Sequence, residues 1–115
     1  MQYALFIYAD PTGFERATPE QREQGMAAYT AYTQALKQAG AWQGSNRLRP
    51  ASDSTTVRVA NGKPQVLNGP FADTKEQLGG YYLIDVPDLD SALKWAARCP
   101  GASHGTVEVR PIWAM

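Results

Sequence analysis

Cysteine and histidine are almost missing from this chain, with one of each in 115 residues. Cys99 alone cannot close an internal disulfide, which fits a reducing, cytoplasmic setting. His104 alone argues against a multi-histidine metal centre, and no cofactor is expected. An excess of charge is missing too: eleven basic residues balance eleven acidic ones. No basic patch is available to draw in nucleic acid, and no recognition-helix signature is present. No apolar run approaches the roughly 18 residues that a membrane span needs. The apolar N-terminus, MQYALFIYADP, lacks a charged leader and a small-residue cleavage site, so it reads as a strand rather than a signal peptide. There is no repeat, no low-complexity tract and no linker, so residues 1–115 read as a single domain.

The elements that are present carry clear punctuation. Tyr3 to Ala9 is rich in β-formers, and Asp10, Pro11 and Gly13 end the strand. Thr18-Pro19-Glu20-Gln21 is a helix start, with Thr18 as cap, Pro19 where a missing N–H costs nothing, and Gln21 as the box partner. The helix runs to about Ala39 and stops at Gly40, with Met26, Tyr29, Thr33 and Leu36 on its apolar face. Ala41 to Arg49 reads as strand or loop. Thr56 to Ala60 and Lys63 to Leu67 flank Asn61-Gly62, a strong hairpin signal. A strand at about Gly80 to Val86 precedes a second helix capped by Asp88, with Leu89, Ala92, Leu93 and Ala96 on its apolar face. Pro100 and Gly101 end that helix, and Thr106 to Trp113 forms the last strand.

This order predicts an α+β fold: a ferredoxin-like βαββαβ sandwich with an inserted β-hairpin and both helices on one face of an antiparallel sheet. A half-exposed antiparallel strand alternates apolar and polar residues. ALFIYA and YYLI do not alternate. The face away from the helices therefore needs a cover, and a second copy is the simplest one, giving a homodimer of the dimeric α/β-barrel type. In the last strand Val107 and Val109 point one way, while Thr106, Glu108 and Arg110 point the other, towards the sheet–sheet cavity. Glu108 and Arg110 are then either a structural ion pair or part of a ligand site.

Few residues offer chemistry. His104 is the natural acid–base candidate, because imidazole alone titrates near neutrality. Asp73 is placed to orient it if the two loops meet. Cys99 reads as packing at a helix end. The stretch NGPFADTKEQLGG is not a phosphate loop, since no Gly-Lys-Thr/Ser follows. Its bland reading is a solvated excursion between strands. Tyr81 and Tyr82 are candidates to line a cleft, and Arg110 to hold an anionic group.

The run from NGPF through TKEQLGGYYLIDV and ALKWAARCP to HGTVEVRP resembles the DGPF branch of the YCII-related superfamily. The resemblance is strongest from Asn68 onward, and the N-terminal half is compatible with it. It implies a ferredoxin-like protomer that dimerises through its sheets. It also implies kinship with small enzymes for which a histidine–aspartate pair is the proposed active site; one such type is implicated in removing chloride from chlorinated hydroxyquinones. Other members are linked by gene neighbourhood to extracytoplasmic-function sigma factors. Two departures stand out. The enzyme-like members share a histidine in the N-terminal half, and this chain has none there. The branch motif begins with Asp, and here Asn68 stands in that place; its amide cannot act as a base but can make the same side-chain turn bonds.

Two functions follow. One is a cofactor-independent lyase, isomerase or hydrolase on a small polar or aromatic molecule. His104 and Asp73 would be catalytic, with Arg110, Glu108 and Tyr82 binding substrate. The other is a non-catalytic ligand-binding or regulatory module, with a sigma factor as one conceivable partner.

Overall fold

In the computed structural model, which describes residues 1–114, the opening apolar run forms β1 (Gln2–Ala9). Tyr3, Leu5 and Ile7 are buried against the helices, while Phe6 and Tyr8 on the opposite face are only half-buried. Asp10 and Pro11 end the strand as expected, but they also start a short helix, α1 (Pro11–Arg16), that the sequence reading took as loop. The reason is local: the Asp10 carboxylate accepts from the Thr12 backbone N–H at 3.0 Å, and Pro11 occupies the first helical position.

α2 (Pro19–Gln38) begins with the expected capping box. Gln21 N–H donates to Thr18 Oγ1 at 3.1 Å, and Thr18 N–H donates to Gln21 Oε1 at 3.0 Å. Gly40, at φ +71°, closes it. The inward face differs from the expected one. Tyr32 and Leu36 are buried and Tyr29 half-buried, but Met26 is 65% exposed. Residues 19–28 are all exposed, so this end of the helix carries no core face.

β2 (Trp42–Arg47) resolves the ambiguous segment as a strand. A short 3-10 turn, Ala51–Asp53, leads into β3 (Thr55–Ala60) and β4 (Lys63–Asn68). Asn61 and Gly62 both take positive φ, 53° and 76°, the conformation a two-residue hairpin turn demands. β5 (Gln77–Asp85) starts three residues earlier than expected. α3 (Leu89–Arg98) is capped by Asp88, whose carboxylate accepts from Ser91 N–H at 2.9 Å. A second 3-10 turn, Pro100–Ser103, precedes β6 (Thr106–Pro111).

The main sheet has the order β2-β5-β1-β6, with every neighbouring pair antiparallel. This is the interleaved order of split βαβ units, in an α+β arrangement. β3 and β4 form a separate two-stranded sheet. The core lies between the main sheet and the helices: Tyr3, Leu5, Ile7, Tyr82 and Ile84 from the strands meet Tyr32, Leu36, Ala92 and Ala96. Leu89 and Leu93, expected on the inner face of α3, are about half exposed. The face that packs inward is Ala92, Ala96 and Cys99, all buried, with Trp95 partly buried beside them. Cys99 is buried as expected, and burial pushes its thiol above the ordinary range.

Candidate functional site

The two faces of the sheet separate the candidate residues. β1 pairs with β5 so that Leu5 faces Tyr82 and Phe6 faces Tyr81, and with β6 so that Leu5 faces Val109 and Phe6 faces Glu108. Val107 and Val109 therefore pack on the core, as the alternation predicts. Glu108 and Arg110 lie on the open face beside Phe6 and Ala4. Arg110 Nη2 donates to Glu108 Oε1 at 3.2 Å, and both side chains are largely exposed. On the same face Asn46 Nδ2 donates to the Tyr81 hydroxyl at 2.8 Å.

Tyr82 does not join them. It lies on the helix side, its ring edge-on to Tyr32 at 5.1 Å and its hydroxyl 2.6 Å from Thr33 Oγ1. Burial raises the phenols of Tyr29, Tyr32 and Tyr82, so all three stay neutral in the ordinary pH range. The tyrosines on the open face are Tyr8 and Tyr81.

The stretch Asn68 to Gln77 is more than an excursion. Gly69 takes φ +107°, which favours glycine, and its N–H donates to Ser54 O at 2.7 Å while its carbonyl accepts from Thr56 Oγ1 at 2.8 Å. These main-chain bonds tie the turn. Asn68 makes no side-chain hydrogen bond among the described residues, so the turn does not use the bond an aspartate or asparagine offers there. Beyond the turn, Pro70, Phe71, Ala72 and Thr74 form one wall of an open cleft of about 590 Å³. Leu48 to Ala51, Asp53, Ser54 and Thr56 also line it, together with Tyr8 of β1 and Leu78 of β5. Arg49 Nε donates to Asp53 Oδ2 at 2.9 Å, leaving the outer guanidinium nitrogens without a protein acceptor among the described residues.

His104 caps the 3-10 turn at 100–103 and is exposed. Asp73 is exposed as well. Neither lines this cleft, and no hydrogen bond or ion pair joins them among the described residues. The segments that carry them do meet: Thr106 Oγ1 donates to Glu76 Oε1 at 2.7 Å. Gly105 also packs tightly on the end of β1 at Tyr8 and Ala9. Among the described residues no three His, Cys, Asp or Glu side chains converge as metal ligands would, and no helix is long and apolar enough to cross a membrane.

Sequence reasoning passed over Tyr8, Arg49, Asp53 and Phe71. The signals were there in weak form: Phe71 belongs to the NGPF turn, and Arg49 and Asp53 stand four residues apart in a segment read as loop.

Comparison with known proteins gives two matches. A protein of Rhizobium meliloti (strain 1021), "Uncharacterized protein R00369", is 39% identical over 114 residues, covering 97% of this chain and 92% of the relative. The family model for the YCII-related domain matches residues 1–115. The antiparallel order β2-β5-β1-β6, the two core helices and these two matches lead to one conclusion: the chain belongs to the YCII-related domain family.

Proposed function

We propose that this protein is a homodimer that binds a small, partly aromatic anion in the cleft between Tyr8 and Phe71. The cleft itself carries the reading. Its volume, about 590 Å³, lies in the range of small-molecule sites, and its wall is mainly apolar with Arg49 at the rim. Phe71 is 77% exposed and lines the cleft, so its ring is open to stacking by an aromatic ligand. Arg49 keeps two nitrogens to pair with a carboxylate or phenolate. A ligand-observed NMR screen with small aromatic carboxylates tests this. Saturation transfer that is lost in Phe71→Ala and weakened in Arg49→Ala is expected. Binding that ignores both substitutions would place the ligand elsewhere and defeat the reading.

Surface area supports the dimer. A compact monomer of 12.6 kDa exposes about 6,200 Å². This chain exposes 8419 Å², a surplus of roughly 2,200 Å². A stable interface needs about 800 Å² per partner. The open sheet face, with Phe6, Tyr81 and Leu83 half-buried, is the natural seat for the second copy.

A catalytic reading is favoured by one contact, the Thr106–Glu76 hydrogen bond that draws the Asp73 loop against the segment after His104. In that reading His104 moves a proton on the bound molecule and Asp73 orients the imidazole, with Arg110 and Glu108 at the dimer cavity. Deuterium exchange into the bound compound in D₂O reports such a step without knowledge of the product. Exchange abolished in His104→Ala and reduced in Asp73→Ala is expected; exchange that survives His104→Ala removes this reading and leaves binding intact.

A further inference from the structure

The hairpin of β3 and β4 has an apolar face that its own chain leaves bare. The register sets Val57 opposite Val66 and Val59 opposite Pro64, so all four share one face. Val57, Val59 and Val66 are 61%, 64% and 60% exposed. Thr55 and Asn68 complete the face, which carries no charge. The other face is mixed, with Arg58, Lys63 and Gln65 beside an exposed Leu67, and meets its own chain where Thr56 lines the cleft and the Arg58 guanidinium lies 5.6 Å from the Phe71 ring centre.

A two-stranded hairpin is marginal in water without a third layer. The shape of the chain makes the hairpin an arm. The molecule measures 48 × 44 × 18 Å, and its radius of gyration is 16.0 Å. A compact domain of this length has a radius near 13 Å.

We propose that the valine face of this arm is covered by a second copy of the chain, so that each subunit of the dimer lays its arm on the body of the other. The proposal rests on the dimer reading above and extends it from the sheet face to the arm. Area is the argument for the second copy as occupant. The open sheet face, four strands wide and about six residues long, has a footprint of only roughly 380 Å². A face of that size falls short of the roughly 800 Å² per partner that a stable interface needs, and the arm is a further uncovered apolar surface that can make up the difference. An uncharged valine face also fits an apolar surface better than a charged partner. One consequence follows for the cleft. The arm is tied at its root to the NGPF turn through Thr56 and Ser54, so fixing the arm fixes the cleft wall.

Isotope-filtered NMR on a mixed dimer tests this on the unaltered protein. One subunit carries ¹³C-labelled valine methyls, and the other is unlabelled. Cross-peaks from the Val57 and Val66 methyls to protons of the unlabelled subunit are expected. In parallel, sedimentation equilibrium on Val57→Lys/Val66→Lys is expected to show a dimer dissociation constant raised at least about tenfold, with unchanged far-UV circular dichroism. A wild-type dimer whose Val57 and Val66 methyls see only their own chain overturns the arm and leaves the sheet-face dimer standing. So does a double variant that dimerises as tightly as wild type. A wild-type chain that is monomeric at high concentration overturns the arm and the dimer reading together.

Discussion

Gly105→Ala is a one-carbon change at the junction between His104 and β6, and its effect can be worked from the contacts. A Cβ on Gly105 would overlap the carbonyl oxygen of Tyr8 and stand 3.1 Å from both the Tyr8 carbonyl carbon and the Ala9 Cα. All three are main-chain atoms, so no rotamer change relieves the overlap. Gly105 is not in the left-handed region, so its backbone conformation suits alanine, which would otherwise add about 0.4–1 kcal/mol by restricting the unfolded chain. The overlap sets the sign instead. To restore ordinary contact, the start of β6 must draw back from β1 by about an ångström, which breaks the last rung, Tyr8 with Thr106. Two ladder bonds at about 1 kcal/mol each and an overpacking cost of about 1–3 kcal/mol, less the unfolded-state gain, leave a net loss of about 2–5 kcal/mol.

A chain of 115 residues has roughly 6–17 kcal/mol of stability, so the variant still folds. Urea unfolding followed by tryptophan fluorescence reads the change, at one fixed protein concentration so that self-association enters every variant's midpoint alike. Gly25→Ala is the control. Gly25 lies within α2, and a Cβ there meets nothing within 4 Å. That substitution should stabilise by up to about 1 kcal/mol. If Gly105→Ala unfolds at or above the wild-type midpoint while Gly25→Ala behaves as stated, the close approach of β6 to β1 is refuted.

Other perturbations follow from the same contacts. Leu36→Ala removes a fully buried side chain between α2 and the sheet, and should cost about 2–5 kcal/mol by calorimetry. Asp88 has its carboxyl held below the ordinary value of 3.8 mainly by the Ser91 backbone hydrogen bond. A depressed native value means that the cap contributes above the ordinary carboxyl range and is lost as pH falls through the native value. Asp88→Asn should therefore flatten the acid limb of the stability curve, and an unchanged limb in a pH series of urea midpoints would contradict the cap. Ligand affinity in the cleft should rise as protein concentration passes through the dimer transition, and a flat titration would detach the cleft from the interface.

The fold was legible where single residues decide the backbone. Asn61-Gly62 fixed the hairpin, Thr18 with Gln21 fixed the start of α2, and Asp88 fixed the start of α3. α1 was missed because Asp10 and Pro11 signal both the end of a strand and the beginning of a helix, and only the chain beyond decides. Facing was legible only where the residues alternate. Val107 and Val109 declared their side, but YYLI is apolar on both faces, so nothing in it says whether Tyr81 or Tyr82 turns inward. The pairing of β5 with β1 decides that, and a one-residue slip would exchange them. The cleft was not legible, since Tyr8, Arg49, Thr56 and Phe71 come from four segments with no common spacing. The His104–Asp73 pairing needed a contact between two loops, and the contact that forms runs through Glu76 and Thr106.

One irregularity joins the cleft to the open face. The β1–β5 register shifts between Ile7 and Tyr8, so that Ile7 faces Gly80 while Tyr8 faces Leu78, and Gly79 is left over. The Gly79 carbonyl instead accepts from Leu48 N–H at 2.9 Å, carrying the pairing of β2 with β5 into the segment that walls the cleft. A bulge of this kind sharpens the local twist and re-aims the side chains beside it. Tyr8 and Leu78 stay on the face of Phe6 and Tyr81 and line the cleft. At the neighbouring Gly80 a Cβ would come within 2.9 Å of the Asn46 carbonyl oxygen. The glycine pair before the apolar strand therefore serves two ends, Gly80 admitting β2 and the bulge at Gly79 bringing Tyr8 and Leu78 of the open face to the cleft.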